Sequence, residues 1–230
     1  MESTRAMVSA DLEREPGFWA GVFYRIAHIV VWMLARLFFR LQVIGVSEIP
    51  REGGVIVAAN HNSYFDIPLL GCALFRRADN IAKAELFQNR LVGALFRMFG
   101  GFPVRRGTID RQALAEAVGR LRAGHLLAMY PEGTRSKDGR LQPPKPGIGM
   151  IVAQSGAKVV PAFIRGTDPV RPFKPVTVVF GKPIDFKAEI ELFQAAEKEG
   201  MNPKKLYATI SQEIMTQIAA LEKELSERNC

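Results

Sequence analysis

Short apolar runs alternate along the chain with stretches whose apolar residues recur every three or four positions, and this alternation predicts layers of sheet and helix. Runs at 41–46, 55–59, 80–84, 126–130, 158–164 and 176–180 are each predicted as a strand. Between them Ile109, Leu114, Val118 and Leu121 keep roughly helical spacing, with Thr108 as N-cap and Gly124 closing the helix. Near the C-terminus Leu206, Ile210, Ile214, Ile218, Leu221 and Leu225 recur at spacings of four or three, which predicts a long scaffold helix. The Pro- and Gly-rich stretches 142–147 and 167–175 are expected as loops inside the domain, because core-type strands resume after each. The expected fold of 41–230 is α/β, a central, mostly mixed β-sheet flanked by helices.

Residues 1–40 follow a different pattern. The apolar stretch 18–46 is long enough to cross a bilayer, which takes about 20 residues, but Arg25, Arg36 and Arg40 interrupt it, so a simple spanning helix is not expected. On a helical wheel Arg14, Glu15, Arg25, Arg36 and Arg40 share an arc of about 100° and the other positions are overwhelmingly apolar. Phe18, Trp19, Phe23, Tyr24, Trp32, Phe38 and Phe39 supply the aromatic character of a water-lipid boundary. An N-terminal membrane-associated helix or two-helix motif is predicted, lying in the interface; the alternative is an apolar helix docked on its own domain.

Composition sharpens this picture. Across 230 residues, 31 Lys and Arg outnumber 23 Asp and Glu, giving a net charge of +8. Such an excess attracts phosphate on nucleic acid, nucleotides or anionic lipid alike. The aromatic and arginine-bearing N-terminal segment selects an anionic membrane surface and not nucleic acid. Cys72 lies in an apolar stretch and Cys230 at the end of the sequence, so neither a bridge nor a metal site is expected and a reducing, cytoplasmic setting is indicated. The acidic residues Glu2, Asp11, Glu13 and Glu15 argue against a secretory signal peptide. The expected location is therefore the cytoplasmic face of the inner (plasma) membrane.

Candidate chemistry begins where the strand 55–59 runs into Asn60-His61-Asn62-Ser63-Tyr64-Phe65-Asp66, at the carboxyl end of a strand, where α/β sheets bind ligands. A carboxylate at Asp66 is within reach of the His61 imidazole. It would fix the tautomer and stabilise the imidazolium formed when the other ring nitrogen takes a proton. Arg105 and Arg106 leave a short predicted strand after Gly100 and Gly101, and two forked guanidinium groups suit bidentate capture of a phosphate.

The block at 60–66 resembles the NHxSxxD motif of the 1-acylglycerol-3-phosphate acyltransferases, or lysophosphatidic acid acyltransferases. Gly101-Phe102-Pro103-Val104-Arg105-Arg106, Tyr130-Pro131-Glu132-Gly133-Thr134-Arg135-Ser136 and Val160-Pro161-Ala162 are similar to the family's second, third and fourth motifs, in order. Tyr130 departs from the phenylalanine commoner at that position. The resemblance implies direct acyl transfer in a ternary complex, without an acyl-enzyme, with His61 as base and Asp66 orienting it. It assigns the third block, Glu132, Gly133, Thr134 and Arg135, to acceptor binding. Glu132 either bonds glycerol hydroxyls or pairs with Arg135, and Gly133 opens backbone N–H groups to a ligand. Pro161, near a strand end, is expected to shape the acyl or phosphate pocket, with Lys145 and Arg165 as lesser candidates for donor or phosphate contacts. The implied acceptor is a lysophospholipid, 1-acylglycerol 3-phosphate or another such as a lyso-ornithine lipid. The implied donor is acyl-CoA or acyl carrier protein, as co-substrate and with no cofactor.

Other chemistries fit less well. Ser63 and Cys72 lie near His61, but no G-x-S-x-G elbow is present. His28, His61 and His125 are scattered, so no metal site is expected, and no G-x-x-x-x-G-K-[ST] phosphate loop occurs. A non-catalytic lipid-binding membrane module would leave the His-Asp pair unexplained.

Overall fold

The computed structural model describes residues 18–104, 110–197 and 202–228. Seven strands, β1 (Gln42–Ile44), β2 (Val55–Ala59), β3 (Ala78–Lys83), β4 (Gly101–Val104), β5 (Leu126–Met129), β6 (Lys158–Arg165) and β7 (Thr177–Phe180), form one sheet in the order β1-β7-β6-β2-β5-β3-β4. Only β6 and β7 run antiparallel among the paired strands, so the sheet is mixed. The continuous apolar run of β2 is buried at every residue because it lies between β5 and β6 with both faces covered.

Alternate residues of these strands feed two cores. Ile56, Ala58, Leu127, Val159 and Phe163 face α4 (Arg111–Arg122), α5 (Gly147–Ser155) and α7 (Pro203–Glu227), counted in chain order after α1 (Phe18–Phe39), α2 (Asp66–Ala73) and α3 (Arg90–Met98), with α6 (Lys187–Glu197) preceding α7. Val55, Val57, Ala59, Leu126, Val160, Ala162 and Ile164 face Leu69 and Leu70 of α2 and Ala35 of α1. The predicted apolar stripe of α7 is buried at all six positions. At Gly149 the helices α5 and α7 approach so closely that a Cβ would fall 2.1 Å from the Tyr207 carbonyl oxygen, which only glycine permits.

Several boundaries differ from expectation. The first strand is confined to Gln42–Ile44, because Gly45 turns to φ +73° and a 3₁₀ turn starts at Val46. The third begins earlier, at Ala78. Helix α4 is capped by Asp110, whose carboxylate accepts from the Gln112 and Ala113 N–H groups, and not by Thr108, which with Ile109 lies outside the described residues. Its other end matches expectation: Gly124 takes φ +89°, its N–H bonds Leu121 and the His125 N–H bonds Arg120, a Schellman closure.

Helix α1 is continuous from Phe18 to Phe39, while Arg14 and Glu15 of the predicted polar arc lie outside the described residues. Among the described residues no helix is long and apolar enough to cross a membrane. Val31, Ala35 and Phe39 pack one stripe of α1 on the second core. Ile26, Ile29, Trp32, Met33, Leu34 and Leu37 remain exposed, Leu37 to 64%. The docked alternative therefore accounts for a narrow stripe of the helix and leaves its wider apolar face bare.

Candidate active site

Strand β2 delivers the chain to the carboxyl ends of its parallel neighbours β5 and β6, the end of the sheet where α/β folds bind ligands. Asn60, the first residue past the strand, is buried, and its side chain imitates a further rung of the β2–β6 ladder: Oδ1 accepts from the Ile164 N–H at 2.7 Å and Nδ2 donates to the Ile164 carbonyl at 3.0 Å. This amide fixes where the next residue emerges.

That residue is His61, 6% exposed, whose Nδ1 lies 2.9 Å from Oδ2 of Asp66. Asp66 is fully buried in the first turn of α2, where the helix dipole favours a carboxylate. The same Oδ2 accepts the N–H groups of Asn62 and Ser63, each at 2.7 Å. An oxygen acting as acceptor toward three donors requires the proton on Nδ1, which leaves Nε2 with the lone pair of a base.

The third block holds His61 by its backbone. The His61 N–H donates to Oε1 of Glu132 at 2.9 Å, and its carbonyl accepts from the Ser136 N–H at 2.7 Å. The other oxygen of Glu132 accepts from the Gln142 N–H at 3.2 Å. With 1% of its surface exposed and both oxygens engaged by backbone, Glu132 is a clamp on the loop that carries His61. Burial raises its pKa above the ordinary carboxylate value, and the two N–H donors pull against that rise.

Arg135 does not pair with Glu132; its guanidinium lies 3.6 Å over the Tyr64 ring. The N–H of Gly133 itself closes the turn onto the Tyr130 carbonyl at 2.9 Å. Gly133 is glycine because φ is +67° and because a Cβ would come 2.8 Å from Cδ of Lys145, whose stem crosses the turn. Lys145 and Thr134 are exposed on this rim.

Two further candidates sit away from these groups. Pro161 lies within β6, beside Ala58, and not at the strand end; its carbonyl accepts from the Gly181 N–H at 2.8 Å. Arg165 is committed to the end of α7, donating to the Leu225 carbonyl at 3.4 Å and to the Ser226 hydroxyl, where a cation meets the negative pole of the helix. Its guanidinium is a helix anchor. Arg105 and Arg106 lie outside the described residues.

Sequence reasoning placed Tyr130 in the third motif but gave it no role at the site; its ring stacks on His61 with centroids 4.1 Å apart and planes 22° from parallel. Its place directly after a buried strand was the available signal. As for the alternative nucleophiles, the Ser63 hydroxyl accepts from the Phe65 N–H at 3.3 Å, and burial pushes the Cys72 thiol up to about 11, far from a thiolate at neutral pH. A second His-Asp pair, His125 Nδ1 to Asp79 Oδ2 at 2.8 Å, shares its carboxylate with Arg120 at 3.1 Å. It sits at the amino ends of β3 and β5, the end of a sheet that α/β folds do not use for ligands. A cavity of about 570 Å³ lined by Val118, Arg122, Phe193, Leu206 and Tyr207 includes none of the His61 loop.

The Acyltransferase family profile matches residues 40–165, which contain both the His-Asp loop and the clamp that holds it. The chloroplastic 1-acyl-sn-glycerol-3-phosphate acyltransferase BAT2 of Brassica napus is 31% identical over 181 residues, 72% of this chain and 52% of that protein. The 1-acyl-sn-glycerol-3-phosphate acyltransferase of Bacillus subtilis (strain 168) is 28% identical over 127 residues, 55% of this chain and 63% of that protein. The matches thus span between about half and less than two thirds of these relatives. The crystal structure of PlsC, the 1-acyl-sn-glycerophosphate (LPA) acyltransferase from Thermotoga maritima, superposes with a TM-score of 0.60 at 28% identity, covering 84% of this chain and 81% of that one. With the profile spanning more than half of its length and relatives of this kind around it, the chain belongs to the Acyltransferase family, alongside the 1-acyl-sn-glycerol-3-phosphate acyltransferases.

Proposed function

We propose that this chain transfers a fatty acyl group from the thioester of acyl-CoA or acyl carrier protein to the sn-2 hydroxyl of 1-acylglycerol 3-phosphate, giving phosphatidic acid. The observation that carries the reading is the 2.9 Å contact between His61 Nδ1 and Asp66 at the mouth of the sheet. Nε2 takes the proton from the acceptor hydroxyl as its oxygen attacks the thioester carbonyl. The tetrahedral intermediate then expels the thiolate, which recovers the proton from the imidazolium, and Asp66 stabilises the imidazolium between the two steps. Transfer is direct, consistent with the buried Cys72 thiol, whose pKa is far above neutrality. Arg105 and Arg106 serve the acceptor phosphate as forked donors, and Arg135 and Lys145 add positive charge on the turn beside His61.

The reaction runs at the cytoplasmic face of the inner (plasma) membrane, with an anionic lipid surface as partner. Support comes from the bare apolar face of α1, with Arg36 stacked 5.0 Å over Trp32. Phe173, 61% exposed, extends this face with its ring 6.0 Å from Phe38, and Arg171 and Lys174 flank it. The Phe39 ring lies 6.0 Å from that of Phe65, the neighbour of Asp66, so α1 ends beside the catalytic loop.

The test is turnover. Purified protein with labelled acyl-CoA or acyl carrier protein and a panel of lysolipids in mixed micelles is expected to yield phosphatidate from lysophosphatidate. Preference for another acceptor, such as a lyso-ornithine lipid, overturns the acceptor assignment, and no product with any pair leaves a lipid-binding module.

A further inference from the structure

Among the described residues two buried polar atoms beside the imidazole have no hydrogen-bond partner, Oδ1 of Asp66 and the Tyr130 hydroxyl. Native structures leave few such atoms, and each calls for an explanation. Here one is an acceptor and the other a donor. His61 and the loop N–H groups all use Oδ2, so the second oxygen of the carboxylate is free to accept. A phenol carries the O–H that it lacks.

Tyr130 is held close to this carboxylate. Its ring covers one face of His61 at a centroid distance of 4.1 Å, and it leaves β5 directly after Met129, which pairs with Ala58 only three residues before His61. Burial first, and the charge of Asp66 second, raise the pKa of the hydroxyl well above that of an ordinary phenol. The group therefore keeps its proton at any working pH and is available only as a donor toward an anion.

We propose that Tyr130 is a positioning residue of the His61-Asp66 pair: its O–H donates to Asp66 Oδ1 in the working enzyme while its ring holds the imidazole plane. The proposal rests on the reading of His61 as the base. A fourth donor draws negative charge from the carboxylate and loosens its hold on the imidazolium. His61 is then ready to accept a proton from the acceptor hydroxyl at a lower pH than it would be beside a carboxylate with a bare second oxygen.

The test compares wild type with Tyr130→Phe, which keeps the ring and removes only the O–H, using two readouts. The first is the pH titration of the His61 imidazole followed by NMR, with signals assigned through His61→Ala; it needs no turnover. The second is the acidic limb of the kcat/KM pH profile. The expected result is that in Tyr130→Phe the imidazole keeps its proton to higher pH by roughly half a unit to one unit. The acidic limb moves with it, and the acceptor KM is unchanged. An unmoved His61 titration overturns the proposal whether or not the protein turns over. A titration that moves while the acidic limb stays in place supports the Tyr130 bond and overturns His61 as the base. Tyr130→Leu, which also removes the stack, is expected to lower kcat at least tenfold on the pH plateau; equal kcat for the two variants overturns the positioning role of the ring.

Discussion

Replacing Glu132 by Gln separates the clamp seen in the structure from the acceptor-binding role that its motif suggests. The two oxygens of Glu132 each accept one backbone N–H, from His61 at 2.9 Å and from Gln142 at 3.2 Å, in a site 1% exposed. An amide offers one acceptor and one donor, so one of these N–H groups must face an NH₂. A buried group left unsatisfied costs about 1–3 kcal/mol. In a protein of this size each kcal/mol lowers Tm by about 2–4 °C, so the fall should be about 2–12 °C. The sensitive readout is kcat, because His61 hangs from this bond and a misplacement of about 1 Å costs on the order of 10²-fold. A pH dependence accompanies it. Burial raises the pKa of Glu132 above 4.5, so its contribution to stability is full below that pH and is lost as pH rises through the raised value. The Tm gap between wild type and Glu132→Gln, a residue that cannot titrate, is therefore widest in acid and narrows toward neutrality. Thermal unfolding followed across pH, together with steady-state kinetics, checks all three. An unchanged Tm and kcat with a raised lysophosphatidate KM refutes the clamp and restores Glu132 to the acceptor.

Three other outcomes follow from the geometry. Asn60→Ala strips both side-chain bonds from the Ile164 backbone, at about 1–3 kcal/mol for each group left orphaned, and thermal unfolding should show a clear loss of Tm; a shift within error would remove Asn60 as the ladder extension. Gly133→Ala forces a side chain into φ +67° against the Lys145 stem, costing about 1–2 kcal/mol before any relaxation of Lys145, so denaturant unfolding should report a destabilised protein; equal stability contradicts the turn as described. Replacing Trp32, Leu37 and Phe173 together by Ser should abolish sedimentation with phosphatidylglycerol vesicles while leaving Tm unchanged, since all three are exposed; full retention on vesicles would move the membrane contact elsewhere.

The sheet was legible because its strands are buried on both faces, so that apolar runs such as 55–59 and 158–164 announce themselves without alternation. His61 and Asp66 were legible because their pairing is local, one loop leading into one helix turn. The misreadings share a different cause. Glu132 meets a backbone N–H 71 residues away, and Arg165 meets the end of a helix 60 residues on, so their partners are set by strand order and not by neighbouring sequence. Tyr130 stacks on His61 through the β2–β5 register, which periodicity does not encode. Thr108 and Asp110 are both good N-caps, and local propensity does not rank two such residues this close together. For α1 the pattern marked a wide apolar face, and only packing against α2 distinguishes the docked stripe at Val31, Ala35 and Phe39 from the rest.

The most direct test is the initial rate of phosphatidate formation from acyl donor and lysophosphatidate by His61→Ala, beside wild type, with the fold of both verified by circular dichroism and thermal unfolding. Loss of the base is expected to reduce the rate by about 10²-fold or more while the fold persists. A folded variant that retains more than a few per cent of the wild-type rate contradicts proton removal by His61, and with it the catalytic role of the His61-Asp66 pair.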